Sequence, residues 1–177
     1  DQTFRALGRP AAQVLLTADD LDVRERYLNV RNTLLTLLEF GAVPIINEND
    51  TVSTVELETT FGDNDRLAAM VTNLIRAPLL VLLSDVEGLF DGDPSSPEAK
   101  LIATVTKLDD AIFSLVRDKR TGLSKGGMAS KLNAARMATL AGENVIITSG
   151  RDFGVLGRIA AGESAGTLFL AQGQAIT

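Results

Sequence analysis

Residues 47–65 read NENDTVSTVELETTFGDND: six carboxylates, with no basic residue before Arg66, directly after the apolar run GAVPII. Asn and Asp side chains at this density can hold an amino group, orient a lysine or place oxygen on Mg²⁺. The same residue types also cap helices, and acids are favoured at a helix start by its dipole. Capping accounts for one or two of Asp63, Asn64 and Asp65 and leaves Asn47, Glu48, Asn49 and Asp50 unexplained. On the residues alone, a solvated loop and a binding site both stay open.

A second stretch, RDKRTGLSKGGMASK (117–131), sets five basic residues against one acid in an otherwise acidic chain. Its paired glycines permit close backbone approach, and the helix that follows offers N–H groups to an anion. Lys131, one turn into that helix, can reach the same anion. Gly122 and Gly127 have the Walker A spacing, but Met128 stands where that motif needs lysine. A solvated basic loop ahead of a glycine-rich helix start is the competing reading. A third stretch, LLSDVEGLFDGDP, ends a strand in Ser84-Asp85 and continues into a Gly- and Pro-rich loop that could cradle a nucleotide; Asp-Gly and Asp-Pro turns are commonplace, so alone it is a weak signal.

The chain contains no His and no Cys, which removes imidazole bases, thiolate chemistry, disulfides and Cys- or His-ligated metals. What remains is chemistry by carboxylates, Lys, Arg and backbone N–H groups. A net charge of −6 argues against nucleic acid as the main partner. No apolar run approaches the roughly 20 residues of a membrane span, and no signal peptide is visible, so the expected setting is the cytoplasm with no membrane association.

These segments need elements to place them. The pattern predicts strands at 11–17, 42–47, 78–85, 144–150 and 166–170, and helices at 19–40, 63–77, 108–118, 127–142 and 152–162. Residues 86–105 read as turns with a short hairpin. Alternating strand and helix implies an α/β fold with a mostly parallel central sheet, in which ligands lie beyond the carboxyl ends of the strands. Asn47, Ser84-Asp85 and Ser149-Gly150 fall at such ends. One domain of 177 residues is the expected organisation.

PIINENDTVSTVE…FGDNDRLAAMV, LLVLLSDVEGLFDGDP and GGMASKLNAARMATLAG, in order from about Gln13 to Phe169, resemble the glutamate 5-kinase family of the amino acid kinase superfamily. SAGTLF is similar to the close of that family's kinase domain. The resemblance implies a three-layer αβα sandwich, ATP and Mg²⁺, and phosphorylation of the γ-carboxylate of L-glutamate, the first step of proline biosynthesis. It implies that Asp50 and Asn64 bind glutamate with Asn47 lining the same pocket, and that Asp65 orients the catalytic lysines. Ser84 and Asp85 would contact the nucleotide. The stretch Gly126, Gly127, Met128, Ala129, Ser130 would face its phosphates, with Lys125 assisting, and Lys131 would stabilise the transferred phosphoryl group. No residue is assigned as a metal ligand. A carboxylate nucleophile is ionised at neutral pH, so the missing His base is not needed.

Where the family often has Gly-Thr-Gly-Gly, this chain has Ser124-Lys125-Gly126-Gly127, a lost hydroxyl and a gained charge at the phosphate contacts. The family's first strand, glycine-containing phosphate loop and first catalytic lysine have no counterpart here, nor has its PUA domain. The expectation is therefore a partial kinase domain, its N-terminal portion absent, poorly stable and inactive alone. Homo-oligomerisation, feedback by proline and a glutamyl-phosphate reductase partner are further implications. The alternatives are an acetylglutamate, carbamate, aspartate or UMP kinase, which the pairing of NEND with GDND disfavours, or a non-catalytic ligand-binding remnant.

Overall fold

The computed structural model describes residues 2–50, 63–116 and 126–173. The chain divides into two compact units, Asp1–Ile75 and Arg76–Thr177.

In the first unit, α1 (Gln2–Ala6) precedes β1 (Ala11–Leu16), α2 (Ala18–Asp22), α3 (Arg24–Glu39), β2 (Val43–Glu48) and α4 (Asn64–Ile75). The strands β1 and β2 pair in parallel, from Ala11 opposite Val43 to Leu16 opposite Glu48. Leu16, Leu21, Leu34, Leu67, Val71 and Leu74 form one buried cluster that draws on β1 and all three of α2, α3 and α4. Each fully buried leucine contributes roughly 2 kcal/mol by leaving water.

The helix expected over 19–40 is two helices. Val23 adopts an extended backbone (φ −85°, ψ 117°) between them. The Asp20 carboxylate turns back to accept both the N–H and the hydroxyl of Thr17, each at 2.8 Å, which fixes α2 as a separate turn at the end of β1. The chain leaves α4 through Arg76, whose φ of 53° is unusual for a residue with a side chain.

In the second unit, β3 (Leu79–Ser84), β4 (Thr104–Val105), α5 (Asp110–Leu115), α6 (Gly126–Ala141), β5 (Asn144–Ser149), α7 (Val155–Ala160) and β6 (Thr167–Phe169) follow in order. The sheet runs β3-β5-β6-β4. β3 pairs in parallel with β5, and β4 in parallel with β6, while β5 and β6 are antiparallel. Parallel pairing thus predominates, as the near-continuous apolar strands imply. Leu132, Ala134, Ala135 and Ala138 of α6 are buried, and α6 packs on β5; three alanines in that face let the helix approach the strand closely. The expected hairpin within 86–105 is present: Phe90 bridges Leu101, and the Asp91 N–H donates to the Lys100 carbonyl at 3.0 Å. β4 was not anticipated, being two residues long.

Candidate functional site

β3 ends in Ser84, whose hydroxyl donates to the Asp85 carboxylate at 3.1 Å. From there the chain enters the 86–94 loop, and together they border a cavity of about 810 Å³. Its remaining wall comes from Ser114–Val116 at the end of α5 and from Gly127, Met128 and Lys131 at the start of α6.

Local chemistry explains the shape of this wall. The Asp91 carboxylate accepts the Lys100 N–H at 2.8 Å, and Leu89 accepts from the Ile102 N–H at 2.8 Å, so the loop is held as a hairpin. Asp93 accepts from the Ser95 N–H and hydroxyl at 3.0 and 2.6 Å. At α5, the Asp109 side chain caps the helix by accepting the Ala111 and Ile112 N–H groups at 3.1 and 3.3 Å. Phe113 of α5 lies 5.9 Å from the Arg136 guanidinium of α6, a cation–π contact between the two helices that wall the cavity.

Five of the residues expected to contact a nucleotide therefore line one cavity: Ser84, Asp85, Gly127, Met128 and Lys131. Gly126 opens α6, and Ala129 and Ser130 are half-buried in its first turn, off the cavity wall. Lys125 lies outside the described residues. A Cβ built on Gly127 would meet nothing within 4 Å, so protein packing does not demand glycine there and a side chain would enter open space. The first N–H groups of a 16-residue helix lack intrahelical acceptors and favour an anion at this end. Phe90, Asp91, Asp93 and the end of α5 also form the wall. The loop is legible in sequence as a segment, whereas α5 carries no signal beyond its helical periodicity.

In the first unit, Asn47 and Glu48 close β2 opposite Leu15 and Leu16, and the Asn49 N–H donates to the Leu16 carbonyl at 2.8 Å. Asn47 and Asp50 are exposed. Asp63 caps α4, its carboxylate accepting the Arg66 N–H at 2.7 Å, so this acid has the structural role. Asn64, the first residue of α4, lines a second cavity of about 390 Å³ with Pro44 and Ile46 of β2 and Leu67, Ala68 and Val71 of α4. Asp65 is half-buried on the same first turn. The end of β2 and the start of α4 are thus both polar, and the cavity beside Asn64 is otherwise apolar. Glu56 and Glu58 lie outside the described residues.

The model of the Amino acid kinase family matches residues 1–149. The chain belongs to the amino acid kinase family. It is 50% identical over 171 residues to a glutamate 5-kinase of Methylococcus capsulatus, covering 96% of this chain and 45% of that protein. A glutamate 5-kinase of Syntrophotalea carbinolica is 48% identical over 175 residues, with 98% and 46% covered. The chain spans about half the length of these curated relatives. Among solved structures, isopentenyl phosphate kinase aligns with a TM-score of 0.62 at 18% identity, over 94% of this chain and 62% of that one. Carbamate kinase from Giardia lamblia bound to AMP-PNP aligns with a TM-score of 0.56 at 22% identity, over 79% and 44%. Such likenesses establish the amino acid kinase fold, a mixed α/β architecture with parallel-dominated sheets. No helix among the described residues is long and apolar enough to cross a membrane.

Proposed function

We propose that the chain is a portion of a glutamate 5-kinase. In the reaction, a γ-carboxylate oxygen of L-glutamate attacks the γ-phosphorus of ATP; the bond to the β–γ bridging oxygen breaks, and γ-glutamyl phosphate and ADP result. This is the entry step of proline biosynthesis. The observation that carries the reading is identity of about 50% to glutamate 5-kinases over 96% of the chain. Likenesses to isopentenyl phosphate kinase and carbamate kinase stand at 18% and 22% identity and speak for fold alone.

On this reading, the cavity bordered by Ser84, Asp85, Gly127, Met128 and Lys131 takes the nucleotide. Phosphates lie toward the start of α6, where N–H groups and the Lys131 ammonium meet their charge. Among the described residues no three acidic side chains come together as a metal-binding group, so on this reading Mg²⁺ arrives held by the nucleotide's phosphates. Mg²⁺ supplies neutralisation of the charge on the transferred phosphoryl group. Asp50, Asn64 and Asn47 bind glutamate, with acceptor oxygens suited to its ammonium, and Asp65 orients lysine side chains. Phosphoryl transfer asks for positioning and charge neutralisation rather than a His base, and the chain supplies residues of those kinds. A homo-oligomeric cytoplasmic enzyme, inhibited by proline and passing its acyl phosphate to a reductase, follows from the same reading.

The test is to give the full-length gene product L-glutamate, ATP and Mg²⁺ with hydroxylamine, which traps acyl phosphate as a hydroxamate. Glutamate-dependent hydroxamate is expected. Its absence, with ATP still bound, would reject glutamate as the acceptor.

A further inference from the structure

The SAGTLF segment lies at the far end of the chain from the cavity residues in sequence, yet it touches the cavity loop. Thr167 is fully buried, and its hydroxyl accepts the Leu89 N–H at 2.8 Å across 78 residues of sequence. Leu89, itself 2% exposed, lines the cavity, as does Gly88 beside it. A Cβ on Gly88 would come within 2.6 Å of the Thr167 hydroxyl oxygen, 2.9 Å of Leu101 Cδ1 and 3.0 Å of the Thr167 nitrogen. Gly166, at φ +62°, is wedged likewise: a Cβ there would collide with the Ile147 carbonyl and lie 2.7 Å from Thr148 Cβ and 2.9 Å from the Glu87 carbonyl. Loop residues 87–89 thus meet the start of β6 without room for one methyl group on either side. No cavity-lining side chain comes from β6.

We propose that Thr167 is a positioning residue for the nucleotide cavity, holding the 86–93 loop against the sheet through the Leu89 N–H. The inference rests on the reading of that cavity as the ATP site. Thr167 reaches no ligand; its hydroxyl fixes one buried amide, and Gly88 and Gly166 allow the backbone approach that makes the bond short. The nearly isosteric Thr167→Val leaves the Leu89 N–H buried without an acceptor, and the loop gains freedom to leave its place.

The experiment measures amide hydrogen exchange and MgATP binding on the full-length gene product and its Thr167→Val and Thr167→Ser variants. Thr167→Val is expected to speed exchange across residues 86–93 while β5 and α6 keep their protection. It is expected to weaken MgATP binding about tenfold, the loss that an unsatisfied buried amide produces when it falls on one state. The KM for glutamate should stay within about twofold, a split that a general loss of stability would not produce. Thr167→Ser, which keeps the hydroxyl, should restore both readouts. Should Thr167→Val fail to fold, Gly88→Ala pushes on the same contact from the loop side and must show the same two effects. Unchanged exchange at 86–93, or MgATP binding within about twofold of wild type, overturns the inference. A wild-type protein that binds no MgATP overturns the kinase reading and this inference together, whereas failure of the variants alone overturns only the inference.

Discussion

Gly127 and Lys131 stand one helical turn apart in α6, and both line the same cavity beyond the carboxyl end of β3. Residues at i and i+4 share a helix face, so a group bound against Gly127 lies along the path of the lysine. The glycine gives access and the lysine gives charge.

Gly127→Leu separates packing from binding. Its Cβ meets nothing within 4 Å, and leucine is the better helix former, so the melting temperature should hold or rise. The side chain occupies the cavity, and the KM for ATP should rise about tenfold or more. A fall in melting temperature with unchanged KM would contradict the placement of the cavity.

Lys131→Met keeps most of the side-chain volume and removes the ammonium. If Lys131 meets charge that develops in transfer, kcat should fall about 100-fold, with a smaller change in the KM for ATP. Steady-state kinetics with both substrates varied decide this. Equal loss in both constants would make Lys131 a ground-state binding group instead.

Asp50 is exposed in the turn after β2, so Asp50→Ala should leave stability within about 0.5 kcal/mol of wild type. It should raise the KM for glutamate about tenfold while leaving that for ATP within about twofold. Matching changes in both would remove Asp50 from the glutamate site.

Glu143, buried between α6 and β5, carries a pH-dependent cost. Burial pushes its carboxyl above the ordinary value of 4.5, against the opposing pull of a backbone hydrogen bond and of Arg76. The folded state therefore keeps the proton to higher pH than the unfolded chain does. Stability attributable to this group falls as pH rises from about 4.5 through the raised value, and the full cost persists above it. The difference in melting temperature between Glu143→Gln and wild type should shift in favour of the glutamine variant across that window and then level off. A difference that is flat with pH would refute the assignment.

How far the sequence spoke depended on whether a feature was local. The apolar runs leading into Asn47, Ser84-Asp85 and Ser149-Gly150 announced strand ends, and each described end lies within one residue of where that pattern put it. Met128 and Lys131 were legible from the glycine pair before them. The break at Val23 was not, because no Gly or Pro marks it; the Asp20 side chain competes for Thr17, and that depends on where β1 ends. Asp63 carried two meanings in sequence, and the 2.7 Å bond to the Arg66 N–H selects the helix cap. Ser114–Val116 and Thr167 were silent, since their bearing on the cavity comes from contacts across long stretches of chain.

The antiparallel pairing of β6 with β5 has a temporal consequence. Because β6 runs against β5, Thr167 stands opposite Ile147, toward the carboxyl end of β5 rather than at the opposite edge. A strand laid parallel would have delivered its first residue to the far side of the sheet. Chains emerge from the ribosome N-terminus first. The cavity loop around Leu89 is thus synthesised long before the hydroxyl that fixes it. β6 follows β3 by about 80 residues, and until it docks the Leu89 N–H lacks the acceptor that holds the loop in place.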